Sequence, residues 1–161
     1  HVHNGFSLGE TKGVIQAHVM AMFLPSLFTG RLVARFGEKP MLLAGIILNI
    51  LAVIAAVHGQ TLVHFTIALV LLGVGWNLLY LASTTLLSKS YRGAERYRIQ
   101  AANDFAVFGF QAFASLSAGF LIVLVGWEHL ALSATLPLSA FLLLLTVYWV
   151  RSSRTSKPGS P

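Results

Sequence analysis

The sequence contains no cysteine. That excludes a disulfide scaffold, a thiolate zinc site and a cysteine nucleophile, and it leaves the cellular compartment open. Charge is also scarce. Asp, Glu, Lys and Arg make up 10% of 161 residues, whereas a soluble domain carries about a quarter. So few charges cannot solvate a globular surface of this size, which argues against a soluble enzyme, a disordered segment and a nucleic-acid binder. Acidic residues number five, and Asp104 is the single Asp. An intramembrane aspartyl protease needs two facing carboxylates and is excluded for this chain. Neither a His-Glu-x-x-His zinc motif nor a Gly-x-Ser-x-Gly nucleophile turn occurs. Rings of charge that would build a channel filter are not visible either. Nothing in the sequence calls for an enzyme, a metal or a cofactor.

What the sequence does have is apolar length. Hydrophobic residues make up 56% of the chain. Pro40 to Ser88, Phe105 to Trp127 and His129 to Val150 carry no Asp, Glu, Lys or Arg. A helix crosses a bilayer in about 20 apolar residues. The segments are too long and too continuously apolar for alternating barrel strands. The expected fold is therefore all-α and polytopic, with five transmembrane helices at about 13–30, 41–57, 62–87, 101–125 and 130–150. Residues 151–161, basic and rich in Ser, Gly and Pro, are expected to form a disordered cytoplasmic tail.

Orientation follows from the connections. Arg31, Arg35, Lys39, Lys89, Arg92, Arg96, Arg98, Arg151, Arg154 and Lys157 fall on one side, and only Lys12 on the other. The positive-inside rule places the first set in the cytoplasm, the N-terminus outside and the C-terminus inside. The chain opens on His-Val-His, without the form of a signal peptide. An outside N-terminus needs something upstream to start insertion, so a fragment of a longer protein is expected.

The first cytoplasmic connection reads Gly30-Arg31-Leu32-Val33-Ala34-Arg35-Phe36-Gly37-Glu38-Lys39. It resembles the signature loop of the major facilitator superfamily, Gly-x-Leu-x-Asp-Arg-x-Gly followed by two basic residues. Gly30, Leu32, Arg35, Gly37 and Lys39 match. Ala34 replaces the Asp, and Glu38 replaces a basic residue. Gly73-Val74-Gly75-Trp76-Asn77-Leu78-Leu79-Tyr80 is similar to the tenth span of bacterial proton-coupled exporters. Arg98-Ile99-Gln100-Ala101-Ala102-Asn103-Asp104-Phe105, with Gly126-Trp127, is similar to the eleventh.

The resemblance implies spans eight to twelve of a twelve-span carrier, part of its C-terminal half-bundle. The implied function is secondary transport of a small solute by alternating access in the bacterial inner membrane. Proton coupling is the default and efflux is favoured; uptake of a sugar or other small metabolite is the alternative. A truncated or non-transport scaffold is the alternative of another class. Partners would be the lipid bilayer, the solute and the missing N-terminal half, with no nucleic acid. Gly30, Arg31, Arg35, Gly37 and Lys39 would form a cytoplasmic gating loop, against the plainer reading of a topology-setting basic loop.

Polar residues within spans are the candidate substrate path. Asn77 lies near mid-span, and Gly73, Asn77, Tyr80 and Thr84 fall on one helical face bordered by Trp76. They line a cavity or act as helix–helix glue. Gln111 has the same two readings. His18 either meets solute or a proton, or bonds a nearby carbonyl while neutral. Asp104, in the first turns of its helix, is a proton carrier, a charge partner for the missing half, or a carboxylate held by the helix dipole. Pro25 and Pro137 are expected to kink their spans.

Overall fold

A computed structural model describes residues 7–59, 61–133 and 135–155. It is all-α, with no strand among the described residues. The helices are α1 (Leu8–Phe23), α2 (Ser26–Phe36), α3 (Glu38–His58), α4 (Leu62–Ser90), α5 (Ala94–Ser133) and α6 (Thr135–Thr155). Four stretches are long and apolar enough to cross a membrane: Leu8–Phe36, Glu38–His58, Leu62–Ser90 and Glu95–Gly126. A shorter apolar helix covers Glu128–Leu144.

Local chemistry explains where these helices start and break. Ser7 and Glu10 form a reciprocal capping box at the start of α1, at 2.7 and 3.2 Å. It satisfies two backbone N–H groups that lack helical partners. Thr61 caps α4 by accepting from the His64 N–H. Pro25 separates α1 from α2. It has no N–H, so the Ala21 carbonyl loses the donor it would have four residues on. Leu24 and Pro25 themselves keep helical dihedrals. The two helices therefore form one interrupted stretch.

Two glycines do what no other residue does easily. Gly37 joins α2 to α3 at φ 85°, ψ 170°, and Gly126 breaks α5 at φ 78°, ψ 164°. This backbone region is essentially restricted to glycine, and other residues incur about 1–3 kcal/mol there.

The connection between α2 and α3 differs from the expected one. The first span was expected to end at Gly30, with a loop from Arg31 to Lys39. Instead α2 runs on to Phe36, and Gly37 alone forms the connection. Val33 supplies the reason: it is 4% exposed and packs with Leu42, Ile46 and Ala82, which keeps the last turns of α2 helical. The tail also differs, because α6 continues through Thr155. Residues 156–161 lie outside the described residues, as do His1 and His3.

Helix α4 is the centre of the packing, with α3 on one side and α1 on the other. Small residues allow the approach. A side chain at Gly73 would stand 2.8 Å from the His18 carbonyl of α1, and one at Gly75 3.0 Å from the Gly45 carbonyl of α3. In lipid, close backbone packing of this kind replaces the hydrophobic drive that water supplies. Asn49, expected as a packing residue, is 7% exposed and donates to the Gly45 carbonyl at 2.8 Å beside Gly75. The apolar part of α5 is different. Phe105, Leu116 and Val123 are each more than 80% exposed, a surface suited to hydrocarbon rather than water.

Gly37→Ala is expected to destabilise the protein by about 1–3 kcal/mol. Gly30→Ala, at a helical position with open space around it, is expected to be neutral or stabilising by up to about 1 kcal/mol. Thermal unfolding in detergent, followed for both variants, separates the two matched positions of the motif.

Candidate functional site

The polar residues of α4 divide between two neighbours. Asn77 faces α1 and α2. Its Nδ2 donates to the Met22 carbonyl at 2.8 Å, and its Oδ1 lies 2.8 Å from the Thr29 hydroxyl. The same hydroxyl is 2.8 Å from the Pro25 carbonyl. Asn77 and Thr29 are 4% and 1% exposed. Met22 is the last buried residue before the proline break, so the amide of Asn77 serves backbone that the interrupted helix leaves short of donors. The structure thus gives both ends of the Asn77 amide a protein partner at a helix junction.

His18 lies on the same interface one turn earlier. Its Nδ1 is 2.7 Å from the Leu69 carbonyl. A carbonyl only accepts, so that nitrogen carries the proton.

Tyr80 turns the other way, towards α5. Its hydroxyl donates to Asp104 Oδ1 at 3.1 Å. Gln100 Nε2 and Asn103 Nδ2 donate to the same oxygen at 3.1 and 3.4 Å. The Tyr80 ring stacks on Trp76 with centroids 4.9 Å apart and planes 5° apart. Phe108 of α5 leans against Tyr80 at 5.7 Å and against Trp76 at 6.4 Å. Of these rings, Tyr80 lines a cleft of about 380 Å³ between α4 and α5. Tyr80, Thr84 and Ser88 line one wall, and Arg96, Gln100 and Asp104 line the other. Both sets recur every fourth residue, which is one face of a helix.

Of the candidate path residues, the structure therefore joins Trp76, Tyr80 and Asp104. It does not join them to His18 or Asn77, which serve the α1–α4 interface. Gln111 is exposed on α5, about two turns beyond Asp104 on the same side. Sequence reasoning placed Thr84 on the Tyr80 face and missed Gln100; their Oγ1 and Oε1 are buried without a hydrogen-bond partner. Gln100 could have been found, since it stands four residues before the single Asp.

The candidate gating loop is also resolved into parts. Gly30, Arg31 and Arg35 lie on α2, where both arginines are exposed. Gly37 is the turn, and Lys39 sits half-buried in the first turn of α3. The residue that departs from the motif makes the tie: Glu38 accepts from Lys89 at the end of α4. The pair couples the start of α3 to the end of α4 on the basic side of the molecule.

A family model described as Major Facilitator Superfamily matches residues 3–161. The chain belongs to the major facilitator superfamily. Over 127 residues, 79% of this chain, it is 42% identical to a riboflavin transporter, RfnT, of Brucella anthropi. It is 37% identical over 92% of its length to an uncharacterized MFS-type transporter, YdeG, of Bacillus subtilis. A drug efflux pump of Mycobacterium tuberculosis, JefA, is 29% identical over 77% of the chain. These alignments span 32%, 35% and 24% of the respective relatives, so the chain covers about a third or less of their length. No solved structure matches. Family and apolar helices together make this an integral membrane protein of the major facilitator superfamily, with the bilayer as its solvent.

Two outcomes follow from this geometry. Asn77→Leu leaves the Met22 carbonyl and the Thr29 hydroxyl without their amide partner and is expected to destabilise by about 1–3 kcal/mol, read from thermal unfolding. The Glu38–Lys89 pair should contribute little, because the Lys89 side chain is 64% exposed. A double-mutant cycle with Glu38→Gln and Lys89→Met is expected to give a coupling below about 1 kcal/mol.

Proposed function

We propose that the chain forms part of the C-terminal half of a secondary carrier that moves a small solute across a bacterial inner membrane by alternating access. Residues 1–150 would make a partial bundle of five spans and 151–161 a cytoplasmic tail that begins as the end of α6. The N-terminus would lie outside, and the remainder of a twelve-span carrier would complete the path. Family membership over nearly the whole chain is the observation that carries this reading. Ten basic residues on one side support the orientation.

Within the chain, the solute path would run beside Trp76, Tyr80 and Asp104, where rings and a carboxylate meet on two adjacent spans. His18, Asn77 and Gln111 remain part of the proposed path in a different capacity. The first two hold α1 against α4, and Gln111 extends the Asp104 side of α5. Asp104 is also the carboxylate of this chain suited to couple solute movement to a proton gradient. Gly37 and the Glu38–Lys89 tie would set how the cytoplasmic ends move together, with Arg31, Arg35 and Lys39 facing the membrane surface or the other half. Export remains the favoured direction. Riboflavin is the first solute to test, because of the 42% identity to RfnT.

The test is uptake and release in vesicles holding the protein expressed from its whole reading frame. Riboflavin and a panel of sugars and aromatic solutes are supplied with and without an imposed proton gradient. Solute movement that collapses with a protonophore, and falls by about tenfold or more in Asp104→Asn, is the expected result. Movement that ignores the gradient would remove proton coupling. No movement of any solute would favour a non-transport scaffold.

A further inference from the structure

Helix α2 is fastened differently from the rest of its span. Of its 11 residues only Thr29 and Val33 are buried, four apart on one face. Both of its ends are joints. Pro25 interrupts the helix before it, and Gly37 alone connects it to α3 at φ 85°. Helix α1, by contrast, is clamped to α4. His18 bonds the Leu69 carbonyl at 2.7 Å, and a Cβ at Gly73 would stand 2.8 Å from the His18 carbonyl. Val14 and Met22 are buried as well.

The two buried residues of α2 hold it unequally. Val33 rests on Leu42, Ile46 and Ala82. Lipid tails are as apolar as those side chains, so Val33 loses little by leaving them for hydrocarbon. Thr29 is the polar tie. Its hydroxyl stands 2.8 Å from Asn77 Oδ1 and 2.8 Å from the Pro25 carbonyl. A hydroxyl has one proton to donate, so it serves one of these acceptors at a time. The Pro25 carbonyl already accepts from the N–H groups of Phe28 and Thr29, both at 2.9 Å. With α2 docked, the proton therefore belongs on Asn77. With α2 drawn away, the same proton turns to the Pro25 carbonyl four residues back, a bond that hydroxyl side chains make within membrane helices. The hydroxyl has a partner in both positions, and no bare donor meets hydrocarbon when the helix moves. Asn77 meanwhile stays bonded to the Met22 carbonyl of α1.

We infer that α2 is a hinged strap: it swings at Pro25, with Gly37 as its far joint, while α1 stays fixed, and the Thr29 hydroxyl is the catch that fastens it to Asn77. Its 11 residues span about 16 Å, so each 10° or so of bend at the proline carries the far end about 3 Å. Arg31 and Arg35 travel with it. The inference goes beyond the carrier reading, since it concerns motion within this chain and is tested without any solute.

The experiment is double electron–electron resonance on the purified protein, expressed from its whole reading frame and held in lipid nanodiscs, with any cysteine elsewhere replaced by serine. Nitroxides are attached in pairs at exposed positions. Ala34→Cys on α2 with Val63→Cys on α4 reports the strap, and Met20→Cys on α1 with Val63→Cys is the fixed reference. In the parent, the first pair is expected to show a main distance and a minor one displaced by a few ångström, and the reference pair a single distance. Thr29→Val removes the catch and should raise the minor component about fivefold. Thr29→Ser keeps the hydroxyl and should match the parent. Pro25→Ala restores the missing donor and a continuous helix, and should leave one Ala34–Val63 distance.

An Ala34–Val63 distribution indifferent to Thr29→Val overturns the catch. A Met20–Val63 pair that shifts alongside it overturns the hinge, because the whole span then moves as one. Should Thr29→Val fail to fold, Pro25→Ala decides: two distances in the parent that collapse to one support the strap, and any other pattern overturns it.

Discussion

Hydrocarbon offers no hydrogen bonds, so every break in a membrane helix must be answered by the protein itself. The rest of this structure depends on how that is done at Pro25. The proline removes one donor from the first span, and the interruption leaves backbone polar groups within it. Asn77 of α4 supplies the amide that meets the Met22 carbonyl, and Thr29 joins Asn77 to the Pro25 carbonyl. For Asn77 to reach, α4 must lie close to α1, and Gly73 makes room for it. Gly75, two residues on, opens the next face to α3 and Asn49. A proline in one helix and an asparagine in another thus fix where α1 and α4 meet.

That arrangement leaves α4 with two working sides. One side is close, buried and bonded to α1 through Asn77 and His18. The other, from Tyr80 to Ser88, meets α5 across a cleft with long hydrogen bonds and unsatisfied oxygens. The first fixes geometry and the second has capacity to spare. A carrier needs both, since a site that binds and releases must rest on something that does not yield. Residue Tyr80 sits at the seam, its ring on Trp76 and its hydroxyl on Asp104.

The all-α membrane class was legible because charge gaps are a long-range signal that packing cannot disguise. Helix ends were less so. Arg31 and Arg35 look like loop residues in a sequence, but the helix beneath them is held by Val33, and nothing local announces a contact with Ile46 and Ala82. The site was legible by composition and illegible by pairing. Gly73, Asn77, Tyr80 and Thr84 do share one broad face by angular arithmetic. That face is wide enough to touch two helices, and only the neighbours decide that Asn77 belongs to α1 and Tyr80 to α5. Glu38 stood out as a departure from the motif, while its tie to Lys89 required knowing that α3 and α4 are antiparallel neighbours.

The connection at Gly37 has one further consequence. A single residue separates the end of α2 from the start of α3, so the chain has no slack between an outgoing and a returning helix. A shift of either helix along its axis is therefore handed to the other through one residue, and the joint can turn only where a glycine's backbone allows it.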